Sequence, residues 1–427
     1  MSAMNTTPAL AETIHRFVRR GFTPRFGELA GTFEPNATWA RLREIGTELW
    51  LDTGSLDDAG ALWTREMTAL TTNNTLLNRE IQTGQYDALI AEAAGVLAGH
   101  SELTERDRML EIAFILNARH GLRLVERFDA FVSVEEHTDL AHDADAAVAC
   151  AKRYHAICPE RFIVKIPLTP AGVLATRRLA AEGIPVNHTL GFSARQNYVV
   201  ARIARPAYVN VFLGRLGSFV ADNALGDGTY VGEKATLASQ AAVRKASDLT
   251  GVKTRQIAAS MRSGTQVRDL AGVDVMTMPP KAAAEFLELG VAPANLADRT
   301  ATDYTPGLNP GVDPAAARLE TLWDVDDALV ACVDALESED LDAFTADDLV
   351  SFFADRGCGD LFVRWSDEQI AASSAEGKVP NPANWQEALA SKAVGLDALM
   401  NLAGLNSFIA DQKAMDDRVA DVLAKQG

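Results

Sequence analysis

Short runs of apolar and β-branched residues, five to seven positions long, recur along the first two thirds of the chain, at 49–53 (LWLDT), 69–73 (ALTTN), 131–135 (FVSVE), 162–167 (FIVKIP), 186–190 (VNHTL), 208–214 (YVNVFLG), 256–261 (QIAASM) and 273–279 (VDVMTMP). Between several of them the apolar positions repeat at helical spacing. The stretch 169–182 is an example, with Pro170 suited to a first turn and Gly183 to a helix end. Strand-length runs alternating with helices predict an α/β protein. Eight such units closing into a (β/α)8 TIM barrel is the economical arrangement, for which about 250 residues is the usual size. An open doubly wound sheet is the rival, but its first strand would lead into a glycine-rich phosphate loop, and LDTGSLDDAG does not read GxGxxG.

The pattern divides the chain into an N-terminal helical segment (1–48), the barrel (49–297) and an extended, mainly helical C-terminal region (298–427). In that last region Thr345-Ala-Asp-Asp348 reads as a capping box, Gly357 as a helix stop, 373–383 (SSAEGKVPNPA) as a loop and 395–423 as a closing amphipathic helix pair.

Composition narrows the partners. The 427 residues are 48% hydrophobic and 23% charged, as in an ordinary globular protein. Asp and Glu outnumber Lys and Arg by 58 to 40, the net charge is -18, and no basic run is present to neutralise a phosphate backbone, which argues against nucleic acid. A small phosphorylated molecule remains compatible, because a few arginines aimed into a cleft override the global charge locally. The four cysteines form no CxxC pair and no cluster with histidine at zinc spacing, so reduced thiols and no metal are expected. An apolar leader and a run of about 20 apolar residues are both missing from the sequence, which predicts a cytoplasmic protein without a membrane span. Without such a leader, the Asn36-Ala-Thr38 glycosylation pattern is chance.

One charge stands out. Lys165 lies in the middle of FIVKIP, where an isolated ammonium costs several kcal/mol, so it must be paired or neutral. Catalytic groups of such barrels sit at the C-terminal strand ends. Polar residues recur there: Asp52, Asn73, Ser133 and Glu135, Asn187 and Thr189, Asn210, and Ser260 and Arg262. The pairs Ser133/Glu135, Asn187/Thr189 and Ser260/Arg262 are spaced to share one strand face. Singly, each has a plain reading: Asp52 as a helix cap, Asn73 and Asn187 as partners of loop backbone, Arg262 as half of a surface ion pair.

LWLDTG, ALTTNNTLL, FVSVEEHTDL, FIVKIPLTPAG, IPVNHTLGFS, VFLGR and AASMR occur in the order of the transaldolase family, which includes related fructose 6-phosphate aldolases. The chain resembles that family over roughly 35–289 and again in NSFIADQKAMDDRVADVL at 406–423. The resemblance implies a Schiff-base enzyme that needs no cofactor, with Lys165 forming the imine. Only a neutral amine attacks a ketone, and an apolar strand favours that form. It implies further that Asp52 is the acid/base, that Glu135 and Thr189 hold a proton-shuttling water, and that Asn73 and Asn187 order the dihydroxyacetone adduct. Ser133, Asn210 and Phe212 complete the implied substrate pocket. Arg215, Ser260 and Arg262 match its phosphate site, where guanidinium forks suit phosphate oxygens. Strand alternation places Asn210, Phe212 and Gly214 on one face with Arg215 just beyond the strand end. His137 and His188 are given no chemistry.

The chain departs from the family pattern at Asn74, where proline usually follows TTN and whose replacement loosens the loop, and at Asn210, where a phosphate-contacting serine is usual. The region from about 298 to 395 is partly without counterpart. Implied partners are sugar phosphates, with a homo-oligomer left open. Two alternatives stay open: an aldolase releasing free dihydroxyacetone, against which Phe212 and Glu135 argue, and a sugar-phosphate-binding protein without catalysis, against which Lys165, Asp52 and Glu135 together argue.

Overall fold

The computed structural model describes residues 6–425. Its centre is a closed barrel of eight parallel strands, each paired with the next in chain order and the last with the first. They are β1 (Glu48–Asp52), β2 (Met67–Thr71), β3 (Phe131–Glu135), β4 (Phe162–Pro167), β5 (Val186–Thr189), β6 (Tyr208–Phe212), β7 (Arg255–Ala259) and β8 (Val275–Met278). Every residue of β4, β5 and β8 is buried, which is why β4 and β8 read as largely apolar runs rather than alternating ones, while β5 buries the polar Asn187, His188 and Thr189. Among the described residues no helix is long and apolar enough to cross a membrane.

Local signals in the sequence account for many helix ends. Thr169 caps Pro170–Ala181 by accepting from the Gly172 N–H, and Gly183 takes φ 77° just beyond. The capping box Thr345/Asp348 forms, and Gly357 follows its helix at φ 76°. Asn36, the chance glycosylation match, instead caps Ala37–Ile45 by accepting from Thr38 N and Trp39 N. That helix buries Trp39 against Phe286, with ring centroids 5.0 Å apart.

Several boundaries differ from the pattern reading. β2 ends at Thr71, so Asn73 is no longer a strand residue but the N-cap of Asn74–Gln82. β6 ends at Phe212 and passes directly into the helix Leu213–Asp222, which puts Gly214 and Arg215 in a helical first turn rather than on a strand. β7 ends at Ala259 because Ser260 takes φ 60°, so Ser260 and Arg262 do not share a strand face. A side chain on Gly214 would place Cβ 2.1 Å from the Ser260 carbonyl oxygen, so glycine is what allows these two backbones to meet. The stretch 373–383 is a loop only in its middle, since the helix Asp367–Glu376 covers its start and a 3-10 turn begins at Pro382.

The expected closing pair is one helix of 29 residues, Leu396–Ala424. No proline breaks it. Gly404 continues it and lets it lie close to Leu190, Phe192 and Arg215. Its start is pinned by Asp397, which is buried and accepts from Ser193 Oγ (2.7 Å), Arg195 Nε (2.8 Å) and Arg195 Nη2 (2.6 Å). Arg195 and Arg318 both reach Asp360 Oδ2 at 3.0 and 2.9 Å, tying the same point to the segment that follows the barrel. Farther along, Asn401 donates to the Leu190 carbonyl, Thr75 to Asp411, and Arg418 pairs with Asp87. The helix therefore crosses the barrel end from which the polar strand residues project.

Candidate active site

A pocket of about 300 Å³ opens at the C-terminal ends of the strands. Its wall includes Asp52, Asn73, Lys165, Asn187, Asn210, Phe212, Arg215, Ser260 and Arg262. Ser133, Glu135 and Thr189 are buried beneath it. Strand register explains the grouping, because Glu135 on β3 lies beside Lys165 on β4, and Lys165 beside Asn187 on β5.

Lys165 is buried and does not escape to solvent. Its ammonium donates to the Thr72 carbonyl at 3.1 Å and stands 3.9 Å from Glu135 Oε1, with the Phe408 ring centroid 5.9 Å away. The second Glu135 oxygen accepts the Asn74 N–H at 3.0 Å. Burial raises the Glu135 carboxyl above its ordinary range, while the Lys165 charge and the Asn74 N–H pull it down. Desolvation likewise raises Asp52, opposed first by Lys165 and then by the Thr71 hydroxyl. A lysine thus shares its pocket with two carboxyl groups that burial raises above their ordinary range, an arrangement fit for moving protons around one amine.

Asp52 Oδ1 accepts from Thr71 Oγ1 at 2.6 Å, and Thr71 in turn meets Thr277 Oγ1 at 2.7 Å. Because the Thr71 hydrogen is committed to Asp52, Thr277 is the donor of the second bond. Asp52 is not a helix cap: Ser55 caps the helix that follows. On the other side Ser133 Oγ accepts from Asn187 Nδ2 (3.1 Å), Asn187 Oδ1 accepts from Asn210 Nδ2 (3.2 Å), and Asn210 Oδ1 accepts from Gly191 N (3.3 Å). This relay of amides fixes the Asn187 head group. Asn73 both lines the pocket and caps its helix through Leu76 N at 2.8 Å, so its plain reading holds alongside its place in the wall. Thr189 Oγ1 is buried with no hydrogen-bond partner among the described residues.

Arg215 is buried between the rings of Phe212 and Phe408, 5.3 and 5.6 Å from their centroids, and its Nη1 has no hydrogen-bond partner among the described residues. Burial, then repulsion from Arg262, pushes its guanidinium down to about 10. Arg262 forms no side-chain ion pair among the described residues, unlike Arg195, Arg202 and Arg318 elsewhere in the fold. Asp52 and Asp58 lie in the same wall, but neither Arg215 nor Arg262 forms an ion pair among the described residues, and guanidinium groups left so can receive an anion.

His188 is buried, held by Thr176 Oγ1 at 3.0 Å and pushed down to about 3 by desolvation; His137 Nε2 meets Asp416 at 3.1 Å. Neither lines the pocket. The sequence reading missed Thr71, Thr277 and several pocket-lining residues, among them Asp58, Arg79, Lys378 and Phe408. Thr277 in VMTM carried the same signal as Lys165, a polar residue in an apolar strand. Phe408 and Lys378 arrive by tertiary packing and had no local signal.

The match to known proteins follows this geometry. The family model described as transaldolase/fructose-6-phosphate aldolase matches residues 49–353, beginning at β1 and running past the barrel. A protein of Xanthomonas campestris pv. campestris named transaldolase is 29% identical over 311 residues, 66% of this chain and 94% of its own. Another transaldolase, from Xanthomonas oryzae pv. oryzae, is 30% identical over 256 residues, covering 56% and 75%. A probable transaldolase of Thermus thermophilus is 35% identical over 236 residues, covering 54% and 86%. With a buried lysine on the fourth strand of a closed eight-stranded barrel and a family match over most of its length, the chain belongs to the transaldolase/fructose-6-phosphate aldolase family of enzymes.

Proposed function

We propose that the protein is a transaldolase of the pentose phosphate type, which moves a dihydroxyacetone unit from a ketose phosphate to an aldose phosphate through a Schiff base on Lys165. The observation that carries this reading is the placing of Lys165 beside Glu135, with Asp52 and the unpaired Arg215 and Arg262 in the same pocket wall.

In this reading the neutral Lys165 amine adds to the C2 carbonyl of the donor and water leaves, with Glu135 and the uncommitted Thr189 hydroxyl positioning the water that carries the protons. Asp52 then takes the proton of the C4 hydroxyl as the C3–C4 bond breaks. The bonding electrons flow into the iminium to give an enamine, and an aldehyde phosphate departs. The enamine attacks the acceptor aldehyde, Asp52 returns the proton to the new C4 oxygen, and water releases the product. Positioned proton transfer of this kind contributes about 10² to 10⁴ in rate. Asn73 and Asn187 order the adduct, with Ser133 and Asn210 holding Asn187. Arg215, Ser260 and Arg262 receive the phosphate.

The reading is tested by reduction with borohydride in the presence of fructose 6-phosphate, which should leave a dihydroxyacetone adduct on Lys165. No mass increase on Lys165 with any ketose phosphate would overturn it. Transfer is separated from release by the acceptor: erythrose 4-phosphate should raise glyceraldehyde 3-phosphate production at least about tenfold, which is about 1.4 kcal/mol of barrier. Equal rates would make the enzyme an aldolase.

A further inference from the structure

Lys378 belongs to the region that follows the barrel, yet it lines the same pocket as Lys165 and Arg262. Its placement is not that of a wandering surface lysine. The Glu376 carboxylate, just before it, accepts from Asn381 N (2.9 Å), Asn384 Nδ2 (2.7 Å) and Trp385 Nε1 (3.1 Å). Gly377 turns the chain at φ 82°, Val379 packs on the main core, and the buried Pro380 gives its carbonyl to Asn223 Nδ2 at 3.1 Å. Asn223 ends the helix whose first turn carries Arg215. The backbone on both sides of Lys378 is thus clamped, and the side chain enters no ion pair among the described residues although the protein carries a net charge of -18. The pocket wall carries Asp52 and Asp58, but Arg79, Arg215, Arg262 and Lys378 outnumber them and none of the four is in an ion pair among the described residues, so an ammonium held at its mouth adds to a positive site for an anion.

We propose that Lys378 is a further phosphate-binding residue of this pocket, so that the region beyond the barrel takes part in selecting phosphorylated over unphosphorylated sugars. The proposal rests on the phosphate-pocket reading given above. Lys378 is exposed where Arg215 is buried, so its contribution is a screened point charge. The guanidinium groups bind; Lys378 draws the anion in and holds it at the rim.

The test uses the full chain and inorganic phosphate, with the phosphate-dependent rise in Tm as a readout independent of turnover. At low ionic strength Lys378→Ala should need about two to five times more phosphate than the parent for the same rise, the range of a single exposed ion pair. Lys378→Glu should need more still, and Lys378→Arg should match the parent. The difference should vanish near 1 M salt, where the Debye length is about 3 Å. With fructose 6-phosphate the loss should fall on KM, while KM for unphosphorylated fructose stays unchanged. Identical phosphate titrations for the parent, Lys378→Ala and Lys378→Glu would overturn the inference. Arg262→Ala in the same titration tests the pocket separately: a loss there with none at position 378 retires Lys378 alone.

Discussion

The backbone N–H of Asn74 donates to Oε2 of Glu135 across 3.0 Å, inside the protein, and the Asn74 side chain donates to the neighbouring Glu136 carbonyl at 3.2 Å. Asn74 is buried and bonded through both groups, contacts that oppose the loosening expected of a non-proline residue here. A proline, lacking the N–H, could not make the first bond. Asn74→Pro should therefore remove a donor that favours the Glu135 carboxylate and raise that carboxyl further. Losing a charge-assisted bond favours the protonated form, so the acidic limb of borohydride trapping against pH should move up. An unchanged pH profile would remove Glu135 from imine formation.

The two carboxyl groups near Lys165 should fail differently. Asp52→Ala should still form the imine with dihydroxyacetone but not cleave fructose 6-phosphate, since the retro-aldol step alone needs its proton transfer. Glu135→Ala should slow trapping itself. Identical trapping kinetics in the two variants would mean that their roles have been misassigned.

Asn210, expected near the phosphate, lines the same pocket as Arg215 and Arg262, and its amide bonds Asn187 and Gly191. Serine is too short to span both partners. Asn210→Ser should release the Asn187 head group and lower trapping by dihydroxyacetone, while the phosphate concentration giving half the Tm rise changes by less than about twofold. A single neutral hydrogen bond of about 1 kcal/mol sets the scale of the first effect. A larger change in phosphate response than in trapping would return Asn210 to the anion site.

Glu136 is buried with both carboxylate oxygens unpartnered among the described residues, and burial, reinforced by the nearby Glu135, raises it well above its ordinary value of 4.5. The folded protein keeps its proton where the unfolded chain releases it. Stability is therefore fully present below about pH 4.5 and falls as pH rises toward the folded value, by about 1.4 kcal/mol per pH unit. Glu136→Gln has no proton to lose, so urea unfolding at pH 5 and pH 7 should show a smaller decline for the variant. Parallel declines would show that Glu136 is ionised in the fold.

The barrel was legible because its strands are buried on both faces and announce themselves as apolar runs, and Lys165 was legible as the exception within one of them. Asn73 also carried a local signal, an asparagine placed before a helical pattern, although its strand was drawn two residues too late. Strand ends were the weak point, since Ser260 takes a left-handed backbone where it lies against Gly214, a contact between two different strand–helix units that no single window contains. The amide relay from Ser133 to Asn210 was hidden for the same reason: the residue types could be read, but their pairing depends on neighbouring strands in register. Phe408 and Lys378 reach the pocket only through the packing of the segments that follow the barrel.

The closing helix has a kinetic consequence. Thr75 and Asp411 lie 336 residues apart in the chain, and Arg418 and Asp87 lie 331 apart, so these ties are among the slowest contacts to form by chain diffusion. Apart from the closure of β1 on β8, neighbouring strands of the barrel pair over far shorter separations. After dilution from denaturant, ellipticity should recover ahead of activity, and the interval between them measures how long the enzyme exists as a finished barrel still waiting for its roof.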